Sequence, residues 1–234
     1  MVKEKRQSKL FFLLKKKFNQ KGVTLIEMIV VIFIFGLVSS VLLFNYSDFS
    51  SNVSVRNLAQ DVGLYVRKAQ TYSTSVQFIQ NENGTEDFHS YGLSFSPDDN
   101  IADNLPYNRQ FIFFADIPDQ NNLPLVYNKM YQTNGSCGNP TENDECIQLL
   151  NINTADKIVS ICRDVYGTRE CMENGIVDIT FLRPSPDANF CIKLGGYYDS
   201  CDTAPTSYVD LILQSAKGVQ KTVTIWNTGQ IAIN

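Results

Sequence analysis

The chain has 234 residues, of which 44% are hydrophobic and 19% charged, with a formal net charge of −4. That length suffices for one ordinary domain beyond a helix. The charge is unevenly divided: residues 1–22 carry seven Lys and one Arg against one Glu, net +7, which leaves 12 basic and 23 acidic side chains, net −11, on the rest. An acidic body argues against general nucleic-acid binding, which needs a basic footprint.

The basic stretch ends at Lys21-Gly22. Val23 to Phe44 then spans 22 residues, and from Met28 only Gly36, Ser39 and Ser40 interrupt the apolar run. As a helix this segment would be roughly 33 Å long, enough to cross a bilayer core. The basic flank predicts that the residues before it stay cytoplasmic and the C-terminal part faces outward. An ordinary secretory signal peptide has a shorter apolar core and a small-residue cleavage site after it. Here the core is longer, and Asn45-Tyr46-Ser47-Asp48-Phe49 follows. One carboxylate, Glu27, lies near the start of this run, where a lone acid is costly and usually functional.

Beyond the apolar run the helical pattern continues. Val55, Leu58, Val62, Tyr65, Val66, Ala69, Tyr72 and Val76 recur at three- and four-residue steps, with Arg56, Gln60, Arg67 and Lys68 on most of the opposite face. The spacing predicts one helix over about 24–78 whose second half is amphipathic. Asn81-Glu82-Asn83-Gly84 supplies turn chemistry after it. The remainder reads as strands: 91–96, 110–115, 147–152, 157–161, 176–182 and 190–193, then a meander of 208–214, 220–226 and 230–233 with short turns. Stretches 97–109 and 132–146 read as long polar loops. The fold class expected is α+β, a long N-terminal helix packed on antiparallel sheet.

All six cysteines lie in the exported part, as Cys137 and Cys146, Cys162 and Cys171, and Cys191 and Cys201. An even count on the outer side of a membrane predicts disulfides. Six cysteines allow 15 pairings, and sequence alone leaves them open. Nearest-neighbour pairing is the preferred reading, each bridge closing a short polar loop. The short knuckles of a zinc site are absent from the sequence.

No catalytic constellation emerges. His89 is the only histidine, and it reads as a surface or turn residue; Trp226 and the strand aromatics read as core. No nucleophile elbow, zinc-protease motif, P-loop or dinucleotide fingerprint occurs, so neither an enzyme nor a cofactor is expected. Two acidic loops offer hard oxygen ligands, Asp98-Asp99-Asn100 with Asp103, and Asp116 with Asp119, Asn121 and Asn122. Neither fits a calcium-loop pattern, which leaves Asp116 and Asp119 as weak calcium candidates and no other metal.

Gly22-Val23-Thr24-Leu25-Ile26-Glu27 resembles the prepilin peptidase site of type IV pilins and type II secretion pseudopilins. The resemblance implies cleavage between Gly22 and Val23, N-methylation of Val23, and an assembly role for Glu27 as fifth residue of the mature chain. Gly36 falls where many members carry a helix glycine. Phe44 stands near a position where many carry proline, and Val23 replaces the more usual Phe or Met. Segments 56–76, 111–119, 177–187 and 223–233 look like parts of the H-type minor pseudopilins and related minor pilins, in family order. The cysteine-bearing stretch 132–201 looks like local elaboration.

The organisation this implies is a basic leader at 1–22, a transmembrane and assembly helix at 23–44, its amphipathic continuation at 45–78, and a disulfide-containing β-rich domain at 79–234. The implied function is a minor pilin or pseudopilin of a pilus, secretion or competence system. Its implied partners are other pilin-like subunits, the prepilin peptidase and the inner-membrane assembly platform. Its implied place is the cytoplasmic membrane, single-pass, with the C-terminal domain outside, and then a filament. The alternatives are a filament-tip binding module using the 132–201 loops and a simple membrane-anchored exported domain.

Overall fold

The computed structural model describes residues 22–75, 79–80, 86–87, 89–99, 106–117, 129–131, 137–138, 145–194, 197–199 and 206–234. It divides into two compact units, Met1–Ser47 and Asp48–Asn234. One helix, α1 (Leu25–Thr74), contributes to both.

Among the described residues of the first unit, α1 buries no apolar side chain. Every apolar side chain from Leu25 to Val38 is exposed, and Val41 is 60% exposed. β-branched residues such as Val30, Val31 and Ile32 are mediocre helix formers in water. A helix with an apolar surface all round is suited to lipid or to other helices.

In the second unit the same helix has a one-sided pattern. Val55, Leu58, Ala59, Val62, Val66 and Ala69 are buried, with Tyr65 and Tyr72 packed beside them. Three- and four-residue steps bring these positions onto one face. Val76, at the end of the expected stripe, lies outside the described residues.

Thirteen strands follow among the described residues, all paired antiparallel. β1 (Ile79–Gln80) and β2 (Glu86–Asp87) form a small ribbon. A six-stranded sheet runs in the order β10-β9-β8-β3-β4-β5. Its members are β3 (Ser90–Phe95), β4 (Gln110–Asp116), β5 (Cys146–Asn151), β8 (Ile176–Phe181), β9 (Ala188–Leu194) and β10 (Tyr197–Asp199). A five-stranded sheet runs β13-β12-β11-β6-β7. It comprises β6 (Lys157–Val165), β7 (Thr168–Met172), β11 (Thr206–Gln214), β12 (Gln220–Trp226) and β13 (Ile231–Ile233).

Both sheets turn one face to the helix, and a single core joins all three. Leu93, Phe95, Phe111, Phe113, Ile179 and Phe181 come from the first sheet, and Ile161, Val209, Leu211, Leu213, Val223 and Ile225 from the second. Period-two alternation selects these residues. Tyr72 meets both Tyr91 and Phe113 edge-on, with ring centroids 5.4 and 5.7 Å away. Polar contacts fix the docking. Buried Ser73 accepts the Tyr91 amide at 2.9 Å. Gln70 Nε2 donates to the carbonyls of Pro186 at 3.0 Å and Gly229 at 3.3 Å. Gly229 has φ +77°, and a β-carbon there would lie 2.3 Å from the Pro186 oxygen, so the turn admits only glycine.

The α+β expectation holds, with differences of detail. The helix ends at Thr74, and the expected strand 157–161 extends to Val165 before a two-residue turn leads into β7. Tyr166 and Gly167 both have positive φ, 51° and 82°, as a type I′ hairpin turn requires. β7 escapes a hydrophobic-pattern reading because Thr168, Arg169 and Glu170 make it an exposed, charged edge strand. Two further expectations are corrected. His89 is buried, only 2% exposed, and does not sit at the surface. Trp226 lies outside the core, on the opposite face of β12 from Val223 and Ile225.

Candidate processing and assembly site

The junction is built from a few residues at the head of α1. Gly22 and Val23 are exposed and outside the helix. A β-carbon on Gly22 would meet nothing within 4 Å. Thr24 caps the helix: its Oγ1 accepts the Glu27 amide at 3.4 Å, a long bond, and its carbonyl accepts the Met28 amide at 3.2 Å. Thr24-Leu25-Ile26-Glu27 therefore has the spacing of a capping box. Ser/Thr followed three residues later by Glu is readable in sequence, so the Thr24 cap has a local signal.

Glu27 is the acid of the first helical turn. Four amides at a helix N-terminus lack intrahelical partners, and the helix dipole favours negative charge there. Glu27 is exposed, so its carboxylate is open to a group from outside the chain. The helix beyond is long and apolar enough to cross a membrane, and none of its apolar window is buried within the protein. Gly36 has open space around it and would let another helix approach the backbone closely. The leader, 1–21, lies outside the described residues.

Residues 17–43 match the prokaryotic N-terminal methylation motif. No curated protein and no solved structure matches the chain. The motif supports a type IV pilin-like or pseudopilin subunit, and with the apolar helix it agrees with membrane anchoring. The match stops at residue 43, so the likeness to H-type minor pseudopilins rests on sequence resemblance alone.

The cysteines form disulfides. Cys137 is joined to Cys146 and Cys162 to Cys171, each across nine positions. Cys191 is also disulfide-bonded, and Cys201 lies outside the described residues. The expectation that each bridge closes a polar loop needs correction at one of them. Cys162 and Cys171 are register partners on β6 and β7, so their bridge staples two neighbouring strands.

Three buried carboxylates hold backbone amides of residues 117, 129 and 131. Asp116 accepts the Lys129 amide at 3.0 Å, Glu145 that of Ile117 at 2.9 Å, and Asp178 that of Tyr131 at 3.0 Å. All three side chains are buried. Burial pushes the Asp178 carboxyl up to about 7, although the Ser94 hydroxyl, the Tyr131 amide and the Lys193 charge oppose the shift. Among the described residues no group of three or more His, Cys, Asp or Glu side chains is placed to hold a metal ion. Of the calcium candidates, Asp116 is buried and accepts the Lys129 amide. Asp119, Asn121, Asn122, Asn100 and Asp103 lie outside the described residues.

Proposed function

We propose that this chain is a minor pilin or pseudopilin, cut between Gly22 and Val23, N-methylated at Val23 and assembled through its N-terminal helix into a filament. The observation that carries the reading is the conjunction at the head of α1. An open glycine, a capped helix start and an exposed Glu27 lead into a helix whose apolar side chains from Leu25 to Val38 are exposed.

The chemistry follows from charge. Cleavage after Gly22 creates an α-amino group at Val23, largely cationic near neutral pH. Packing many such helices side by side would bury that cation in an apolar medium, where an unpaired charge is expensive. Glu27 of one subunit meeting the N-terminus of its neighbour removes the penalty and sets the axial register. On this reading residues 1–22 are the leader, 23–44 the assembly helix, 45–78 its amphipathic continuation and 79–234 the outward-facing domain. The protein works by assembly and has no turnover. Its partners are other pilin-like subunits, the peptidase that removes the leader and the inner-membrane platform.

Glu27→Ala tests this reading. The variant should be cut normally but enter sheared filaments at a small fraction of the wild-type level, and Glu27→Gln should behave likewise. Wild-type incorporation of both variants would refute the assembly role.

A further inference from the structure

The face of the five-stranded sheet turned away from the helix carries an unusual set of side chains. Trp226, the only tryptophan in the chain, stands there directly across from Tyr208. Both are half-buried and neither belongs to the core cluster. The next pair on this face is Asp210 and Thr224. Asp210 accepts from Thr224 Oγ1 at 2.7 Å and from Arg169 Nη2 at 2.8 Å. Asp164, the register partner of Arg169, completes the patch.

These groups are held rigidly. Asp210 has both oxygens engaged and its side chain is 10% exposed, whereas that of Arg169 is 49% exposed. The Cys162–Cys171 bridge fixes the strand that carries Arg169 to its neighbour, and Cys162 is also the register partner of Asp210. Ordering costs are therefore met before any ligand arrives.

The composition of the patch selects among ligands. One cation stands against two carboxylates, so phosphate, sulfate and nucleic acid meet net negative charge. A wholly apolar ligand would cover the Arg169–Asp210 pair without hydrogen-bonding to it, which is costly. A neutral sugar fits both halves. Its C–H face can lie on the indole and phenol rings, and its hydroxyls can accept from Arg169 and donate to Asp210, Asp164 or Thr224.

We propose that this sheet face, centred on Trp226, Tyr208 and Arg169, binds neutral oligosaccharide. The inference is independent of the filament reading, since it concerns only residues of the second unit. A single tryptophan makes the test direct, because its emission reports on the site alone. Full-length protein in neutral, non-glycosidic detergent is titrated with maltohexaose and N-acetylchitohexaose. At least one should shift Trp226 emission saturably, and Tyr208→Ala and Arg169→Ala should each weaken the effect about tenfold or more while retaining the wild-type melting profile. Calorimetry with Trp226→Phe should give weakened binding heat. The inference fails if neither sugar alters emission at about 10 mM, well above the ~1 mM scale of weak binding. It also fails if both variants titrate like wild type, or if emission depends only on protein concentration, which would mean that a second copy covers the face.

Discussion

The two halves of α1 differ in one respect that explains most of the molecule. From Leu25 to Val38 each apolar side chain is exposed, whereas between Val55 and Ala69 a stripe of apolar positions recurs on a single face and is buried, with Leu64 outside it. The first half has an all-round apolar surface, exposed from Leu25 to Val38. The second has a stripe, and that stripe is one wall of a core shared with two sheets. Identical backbone geometry thus serves two solvents, and the side-chain period determines which.

The comparison can be broken by substitution. The largest effect is expected for Val62→Asp, which places an unpaired charge where exposure is 0%. The domain should fail to fold, as judged by loss of its cooperative melt. Val30→Asp, on the exposed half, should leave that melt unchanged. Leu211→Ala removes side-chain volume from the sheet side of the core and should cost about 2–5 kcal/mol. Leu64→Ala, at a site 66% exposed, should cost about 0.5 kcal/mol or less. Equal losses at Leu211 and Leu64 would contradict the placement of Leu211 inside the core and of Leu64 outside it.

A smaller effect concerns the second side of the six-stranded sheet. The Asp178 carboxyl is raised to about 7, above the ordinary carboxylate value of roughly 4. Between those values the folded state holds more protons than the unfolded state. The contribution of this group is therefore fully present below about pH 4 and is lost as pH rises through about 7. Asp178→Asn keeps an acceptor for the Tyr131 amide and should flatten that slope in denaturant titrations across pH 4–8. An unchanged slope would exclude Asp178 as its source.

Opening the Cys162–Cys171 bridge by replacing both cysteines with serine should cost about 2–3 kcal/mol through the freed unfolded chain, measured by urea midpoint. The smallest effect is expected at Arg163 and Glu170. Their 3.4 Å ion pair has Glu170 54% exposed, and a double-mutant cycle should give less than about 1 kcal/mol.

What could be read from sequence was whatever period and chemistry specify locally. The helix was legible because the apolar run and the following stripe both extend over many turns. Strands at 91–96, 176–182 and 220–226 were legible because β-prone runs end in turn residues. Faces were harder. Alternation places Ile225 and Trp226 on opposite sides of β12 but does not say which side meets the helix, and size suggested the wrong one. His89 precedes β3 and belongs to no apolar period of its own, so its burial is not legible from the local pattern. The hairpin of β6 and β7 turns on Tyr166, a residue that rarely adopts positive φ. At the junction, Gly22 and Glu27 were legible from spacing, and the Thr24 cap has a local signal in the same six residues.

The central claim is that the chain matures at this junction. Intact mass and N-terminal fragmentation of the protein recovered from membranes test it most directly. The account predicts a chain beginning at Val23 and carrying one added methyl group on its α-amine. A chain that retains residues 1–22, or begins at any other residue, would contradict it.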